Sequence, residues 1–209
     1  MTPSQFIGKS GLIGQVLQSK ISRLRTGAKT DPIERRWLFT GPPGVGKSEL
    51  ATLLAMEIAG HSLNVDKRMG SQISVEVVRD WGRNAAYRPL IGDMTVRFAD
   101  EVETIPPAAV VELRGYLDDL PATVVFIATT NKAVKELQEP LQTRFQVWKF
   151  DPVPTSLICD YLIQKFPMVA PEVLRGIAGK VSGNVRAALT DAASERDVLN
   201  FRNQLPKAA

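Results

Sequence analysis

Residues 41–48 read Gly41-Pro42-Pro43-Gly44-Val45-Gly46-Lys47-Ser48, the pattern G-x-x-x-x-G-K-[ST] without a mismatch. This pattern narrows the possible folds because it must be a loop that aims successive backbone N–H groups at one anion. The loop must also open a helix whose first-turn N–H groups are free. Gly41, Gly44 and Gly46 allow the tight curl. Lys47 supplies a cation for the outer phosphates of a nucleotide, and Ser48 a hydroxyl for its magnesium ion. The flanks agree with this. Residues 37–40 read as a short buried strand. Residues 49–59 read as a helix with Leu50, Leu53, Leu54 and Ile58 on one face and Gly60 as its stop. Glu49, first beyond the loop, is grouped with the nucleotide-binding residues.

The rest of the chain alternates apolar runs with helical patterns, which predicts a parallel sheet covered by helices. Further strands are expected at 63–65 (weakly), 95–99, 123–128 and 146–150, and helices at 11–26, 75–87 and 106–117. The character changes at Asp151-Pro152-Val153-Pro154, beyond which only helical patterns occur, at about 155–166, 171–178 and 183–201. The expected division is therefore an α/β nucleotide-binding domain over 1–152, a small helical lid over 153–203 and a tail over 204–209.

Four features add chemistry to the loop. The strand ending in Asp100-Glu101 offers one carboxylate for magnesium and its neighbour for the attacking water, so Asp100 is assigned to the metal with Ser48, and Glu101 to catalysis. Within that strand Arg97 must find a partner or point outward, because an unpaired buried cation is costly. The apolar run from Val124 ends in Thr129-Thr130-Asn131, and Asn131 is assigned to the γ-phosphate or the water. Arg144, just before the last strand, is a candidate for neutralising charge in phosphoryl transfer, supplied to a neighbouring subunit. Ser182-Gly183-Asn184-Val185-Arg186 opens a lid helix, with Ser182 as its expected N-cap and Arg186 facing the phosphates.

Composition sets bounds. With 44% hydrophobic and 23% charged residues, the 209-residue chain reads as globular. No apolar run reaches the roughly 18 residues of a membrane span, and Met1 to Gln5 lack the signature of a signal peptide. The single cysteine, Cys159, leaves no internal disulfide and no cysteine-based zinc site. It is expected as a small buried hydrophobe among Leu157, Ile158 and Leu162. These observations predict a cytoplasmic or nucleoid- or nucleus-associated protein, not secreted and without a membrane partner. Net charge is +4. Lys9, Lys20, Arg23, Arg25, Lys29, Arg35 and Arg36 give the N-terminal segment a basic bias that suits either a polyanion or a solvated helix face whose apolar side is Ile13, Leu17, Ile21 and Leu24.

The order of these features resembles that of the AAA+ ATPases, and the stretches between them resemble clamp-loader subunits of the replication factor C small-subunit type. The similarity lies in residues 31–48, in Val75-Glu76-Val77-Val78-Arg79-Asp80 with Tyr87-Arg88-Pro89, in the helix from Pro106, in Glu139-Pro140-Leu141-Gln142-Thr143-Arg144, and in Gly183 to Leu189. Phe6-Ile7-Gly8 is similar to the segment that lies against adenine. The resemblance implies a P-loop AAA+ fold with a five-stranded parallel sheet of order 5-1-4-3-2 and a C-terminal helical lid. It also implies ATP and Mg2+ as ligands, and a homo- or hetero-oligomer acting on DNA or on a sliding clamp. Ile7, Gly8 and Arg186 join the nucleotide contacts, and Arg144 acts in trans. Arg79, Arg83, Arg88 and Lys132 are the candidate DNA contacts, Arg79 first. The sequence departs from the family where Thr143-Arg144-Phe145 replaces its Ser-Arg-Cys, and the chain ends where the collar domain of clamp-loader subunits begins.

The leading functional expectation is an ATP-hydrolysing, clamp-loader-like protein of DNA replication or recombination. A second is a nucleotide-gated assembly or regulatory protein that oligomerises on DNA or a partner with little hydrolysis. A third is a protein-remodelling ring ATPase. Against the third, no aromatic-Gly loop precedes Asp100, and Trp81-Gly82 falls within the helical stretch 75–87.

Overall fold

The computed structural model describes residues 6–25, 31–84, 89, 91, 92 and 94–204. Among them, five parallel strands form one sheet: β1 (Arg36–Thr40), β2 (Val65–Met69), β3 (Thr95–Asp100), β4 (Val124–Thr130) and β5 (Gln146–Lys149). Their spatial order is β2-β3-β4-β1-β5, which is the expected 5-1-4-3-2 read from the other edge.

The central strands form where the sequence is apolar on both faces. β4 is buried at every position. Its side chains alternate between two layers, as the two-residue period requires. Val125 and Ile127 join Trp37, Phe39, Val96 and Phe98 beneath α1 (Lys9–Arg25) and α2 (Lys47–Ala59). Phe126 and Ala128 join Leu38 and Ala99 beneath α3 (Val75–Asn84) and α4 (Pro107–Asp118). The short α5 (Glu139–Gln142) leads into β5. Beyond β5, α6 (Thr155–Lys165), α7 (Pro171–Lys180) and α8 (Val185–Gln204) pack around a third cluster of their own, including Ile158, Leu162, Leu174 and Ala188. Cys159 is half-buried against this cluster rather than within it.

Two local expectations are corrected. The strand expected at 63–65 lies at Val65–Met69, and Leu63 is 82% exposed. β2 is an edge strand, so its Asp66-Lys67-Arg68 run carries no apolar signal. Ser182 is not the cap of α8: Asn184 Oδ1 accepts the Ala187 N–H at 3.0 Å, and Ser182 sits at a left-handed φ of 48°. Four of the basic N-terminal residues have partners within the chain or are buried, which decides between neither alternative, and Lys29 lies outside the described residues. Lys9 pairs with Asp151 (2.8 Å), Lys20 lies 4.0 Å from Glu34, Arg36 lies 3.8 Å from Asp118, and Arg35 is buried.

Arg97 found its partner: its guanidinium lies 3.7 Å from Asp66 and over the Trp81 ring. Trp81 itself is buried in α3 and donates to Asp66 Oδ2 at 2.7 Å, so it belongs to the core rather than to a loop. Arg88, Tyr87 and residues 205–209 lie outside the described residues.

Candidate nucleotide site

β1 runs straight into the glycine-rich loop, and the loop into α2. Gly46 takes a φ of 96° directly before Lys47, the first residue of α2. That left-handed turn, which suits glycine, sets the first-turn N–H groups of Lys47 and Ser48 at the mouth of the loop, where no earlier carbonyl of the helix reaches them. The Lys47 ammonium lies within the loop. It donates to Gly41 O and Pro42 O at 2.7 Å each and to Asn131 Oδ1 at 2.8 Å. Burial pulls its pKa down to about 8, with Arg186 adding to the effect, while Glu103, Asp100 and Glu101 oppose it.

The strand register brings the acidic end of β3 to the same place. Ala99 pairs with Ala128 and Thr40 with Thr130, so β1, β3 and β4 finish at one edge. There Asp100 Oδ1 accepts from Ser48 Oγ at 2.7 Å and from Thr129 Oγ1 at 2.5 Å. Thr129 Oγ1 in turn accepts the Glu101 N–H at 3.1 Å. Glu101 holds a left-handed backbone (φ 57°, ψ 59°), which a non-glycine residue adopts at a cost of order 1–3 kcal/mol and which is common at functional sites. Glu103 Oε1 accepts the Asn131 N–H at 3.1 Å and ties the tip of β4 to the turn after Glu101.

Two cavities meet at this point. One, of about 430 Å³, is walled by the loop, Lys67, Asp100, Glu101, Asn131 and Arg186. The other, of about 370 Å³, runs between Phe6, Ile7 and Val45 on one side and Tyr161, Val185 and Leu189 on the other. Arg186 and Glu49 line both. The first is polar and cationic enough for phosphates. The second has the apolar walls that suit a purine base. A hydroxyl and a carboxylate 2.7 Å apart, Ser48 and Asp100, are hard oxygen donors of the kind Mg2+ takes. Among the described residues no group of three or more His, Cys, Asp or Glu forms an all-protein cage. This donor set therefore fits an ion that takes its remaining ligands from phosphate and water.

The expected nucleotide residues are gathered here with two qualifications. Gly41 and Pro42 line neither cavity and contribute their carbonyls to Lys47, and Gly8 turns against Val153 rather than lining the base cavity. Arg144 lines neither cavity. Its Nε and Nη2 fork onto the two oxygens of Asp118 at 2.9 Å each, and Nη1 donates to Pro140 O at 2.8 Å. Arg79 is 57% exposed and pairs with Glu112 at 3.0 Å, and Arg83 pairs with Asp80. Both border a groove of about 600 Å³ between α3 and α4. Lys132 is exposed just beyond the end of β4 and does not line that groove.

Sequence reasoning missed Thr129, Glu103, Asp118 and Lys67. Thr129 and Glu103 had a detectable signal, since each stands within two residues of an assigned position. Asp118 and Lys67 had none, because their partners are distant in sequence.

A parallel sheet with a glycine-rich loop between β1 and α2 and acidic residues at the end of β3 defines a P-loop nucleotide-binding protein. Residues 37–151 match the model of the ATPase family associated with various cellular activities (AAA), and the chain belongs to that family. It is 34% identical over 121 residues to the replication factor C small subunit of Methanocella arvoryzae, covering 56% of this chain and 37% of that protein. It is 26% identical over 197 residues to replication factor C small subunit 2 of Pyrobaculum islandicum, covering 87% and 60%. The chain thus spans 37–60% of the length of these curated relatives. Among solved structures, the Thermotoga maritima RuvB Holliday junction branch migration motor matches with a TM-score of 0.72 at 20% identity, covering 97% of this chain and 66% of that one. A variant of the same protein matches with a TM-score of 0.76 at 19% identity. At that identity the likeness is one of fold. No helix among the described residues is long and apolar enough to cross a membrane.

Proposed function

We propose that this chain binds ATP with Mg2+ and hydrolyses it as one subunit of a clamp-loader-like oligomer acting on DNA in replication or recombination. The observation that carries the reading is the convergence of Lys47, Ser48, Asp100 and Asn131 through hydrogen bonds of 2.7–2.8 Å, with Glu101 beside them and Arg186 reaching the same cavity from α8. The first-turn N–H groups of α2 and Lys47 hold the phosphates. Ser48 and Asp100 hold Mg2+, which draws negative charge from the phosphate oxygens. Glu101 takes the proton of a water that attacks the γ-phosphorus as its bond to the bridging oxygen breaks. Asn131 orients that water. Arg186 reports the phosphate to α6, α7 and α8, which act as a lid. Phe6 and Ile7 enclose the base. Arg144 serves the site of the adjoining subunit. Arg79, Arg83, Arg88 and Lys132 are the proposed DNA contacts, and a sliding clamp is the proposed protein partner. Purified protein, with and without primed duplex DNA, is expected to release phosphate from ATP, and Glu101→Gln to abolish release while ATP stays bound. Turnover unchanged by Glu101→Gln would sink the hydrolase reading.

A second reading is a nucleotide-gated assembly protein with little turnover, since Arg144 lines neither cavity of its own chain, so a site without a correctly placed neighbour binds nucleotide but lacks that cation. That reading expects ATP-dependent oligomers that persist with a non-hydrolysable analogue and negligible phosphate release. A chain that stays monomeric by light scattering with nucleotide and DNA counts against it.

A further inference from the structure

Lys67 lies on the edge strand β2, where a lysine ordinarily reaches into solvent. Here it remains exposed but also borders the phosphate cavity. Its ammonium lies 3.6 Å from Asp100 Oδ2, donates to Thr52 Oγ1 at 3.1 Å and sits 4.8 Å from the centroid of the Phe98 ring. Thr52 stands one turn beyond Ser48 on α2 and donates to Ser48 O at 2.8 Å. Lys67 is thus held on the metal side of the cleft, next to the Ser48–Asp100 pair.

The two oxygens of Asp100 are divided. Oδ1 accepts the hydroxyls of Ser48 and Thr129, and Oδ2 faces Lys67. The Asp100 side chain is only 12% exposed, so solvent screens this pair poorly, while the Lys67 side chain is 42% exposed and has a way out to water.

We propose that Lys67 is a positioning residue that sets the divalent-cation requirement of the nucleotide site, by engaging the same Asp100 carboxylate that the metal needs. The inference rests on the ATP–Mg2+ reading above and deepens it. Without metal, Lys67 supplies the positive charge that balances Asp100 and the phosphates, so metal-free ATP keeps a counter-charge. With metal, Lys67 is a like charge beside the ion's carboxylate and must withdraw along its flexible stem or repel the ion. Either way the advantage of Mg2+ over no metal is narrowed, by about three- to tenfold for a single partly screened charge.

The test measures affinity of the whole chain for a fluorescent ATP analogue, first in excess EDTA and then across a Mg2+ titration, for wild type, Lys67→Met and Lys67→Arg. Methionine keeps the stem against Phe98 and removes the charge, whereas arginine keeps the charge. The Mg2+ concentration that half-completes the affinity gain is expected to fall about three- to tenfold in Lys67→Met and to return close to wild type in Lys67→Arg. An unchanged midpoint in Lys67→Met overturns the proposal. So does an equal shift in Lys67→Arg, which would make the effect one of shape. Equal loss of affinity with and without Mg2+ would make Lys67 an ordinary phosphate contact and also overturns it. Circular dichroism checks folding, and Lys67→Gln repeats the measurement should the methionine variant not fold. Wild-type protein that binds the analogue in neither condition fails the ATP reading itself and takes this proposal with it, a result distinct from an unmoved midpoint.

Discussion

The backbone N–H of Arg186 donates to Gly44 O at 3.2 Å, so the first turn of α8 is bonded to the phosphate loop. Asn184, which caps that turn, packs so closely on Gly44 that a Cβ at position 44 would coincide with its Oδ1. The loop that would hold phosphate and the helix that carries Arg186 therefore share one contact. Movement of either is felt by the other without any intermediate residue.

Gly44→Ala tests this contact. Position 44 has a φ of 76°, so alanine adds backbone strain and also displaces Asn184, with the loss of its cap. Together these are expected to cost about 1–3 kcal/mol. Asn184→Ala alone should cost about 1 kcal/mol. Because both changes remove the same cap, the double variant should be less destabilised than the sum of the two. Urea denaturation of the four proteins checks it, and strict additivity would mean that the two positions do not interact.

Lys47 gives a prediction in pH. Its pKa of about 8 lies below the ordinary lysine value because the ammonium is buried. It is a cation below pH 8 and loses its proton above it, so affinity for ATP should fall as pH rises past about 8, by at most tenfold per unit for one linked proton. The stability of the nucleotide-free chain should move the other way. Between about pH 8 and the unfolded value near 10.4, the unfolded state holds more protons, so this group's contribution to stability rises with pH. Calorimetric ATP titrations at pH 7, 8 and 9, set beside urea melts at the same pH, separate the two. Lys47→Met should remove the affinity slope together with most of the affinity.

Why some of this was legible in sequence, and some was not, follows from where each group finds its partner. β4 is buried at every position and β1 and β3 carry buried apolar cores (Trp37 to Phe39; Val96, Phe98 and Ala99), so their positions were readable to within a residue or two. β2 lies at the sheet edge and spends Asp66 on Trp81 and Arg97, so a polarity-based reading looked past it. Lys47, Ser48, Asp100 and Asn131 were legible because motif and strand end mark them locally. Arg144 was legible as an arginine, but its fork onto Asp118 spans 26 residues and has no local trace. Ser182 looked like a cap from its residue type. The left-handed backbone at Ser182 and Gly183 carries the chain two residues further before the helix begins.

Arg35 should be a stability residue rather than a functional one. It is 5% exposed directly before β1, and its Nη1 donates to Leu120 O at 3.2 Å and Val124 O at 3.4 Å, and also to Pro121 O. One guanidinium thus closes the turn between α4 and β4 onto the central strand. Burial lowers its pKa from the ordinary arginine value, but a guanidinium remains charged in any working buffer. Arg35→Met keeps much of the bulk and leaves these carbonyls short of a donor, at an expected cost of about 2–3 kcal/mol. Urea denaturation measures it. ATP affinity below the transition should match wild type, and an unmoved midpoint would mean that water replaces the guanidinium without penalty.

Arg144 and Asp118 bear on how neighbouring subunits cooperate. A bidentate fork with a third bond to Pro140 O fixes the direction of the guanidinium, and an arginine aimed in advance stabilises transition-state charge better than a mobile one. Under the proposed function, Arg144→Ala should lower turnover of the assembled protein by at least about a thousandfold. Asp118→Asn should lower it less, since the arginine survives but its aim is loosened, and the ATP affinity of the isolated chain should not change. The Asp118 carboxyl is held below its ordinary range, chiefly by its hydrogen bond from Arg144. The fork therefore persists above the usual aspartate pKa and is lost as pH falls through the lowered value. With the Asp118 side chain half-exposed and screened by solvent, the accompanying loss of stability is about 0.2–1 kcal/mol. Mixing decides whether Arg144 acts across subunits. Glu101→Gln and Arg144→Ala proteins should each be inactive alone. Combined, the Glu101 of one and the Arg144 of the other rebuild an intact site at their junction, and part of the phosphate release should return. A mixture as inactive as its components would mean that Arg144 works only within its own chain, or only as the partner of Asp118.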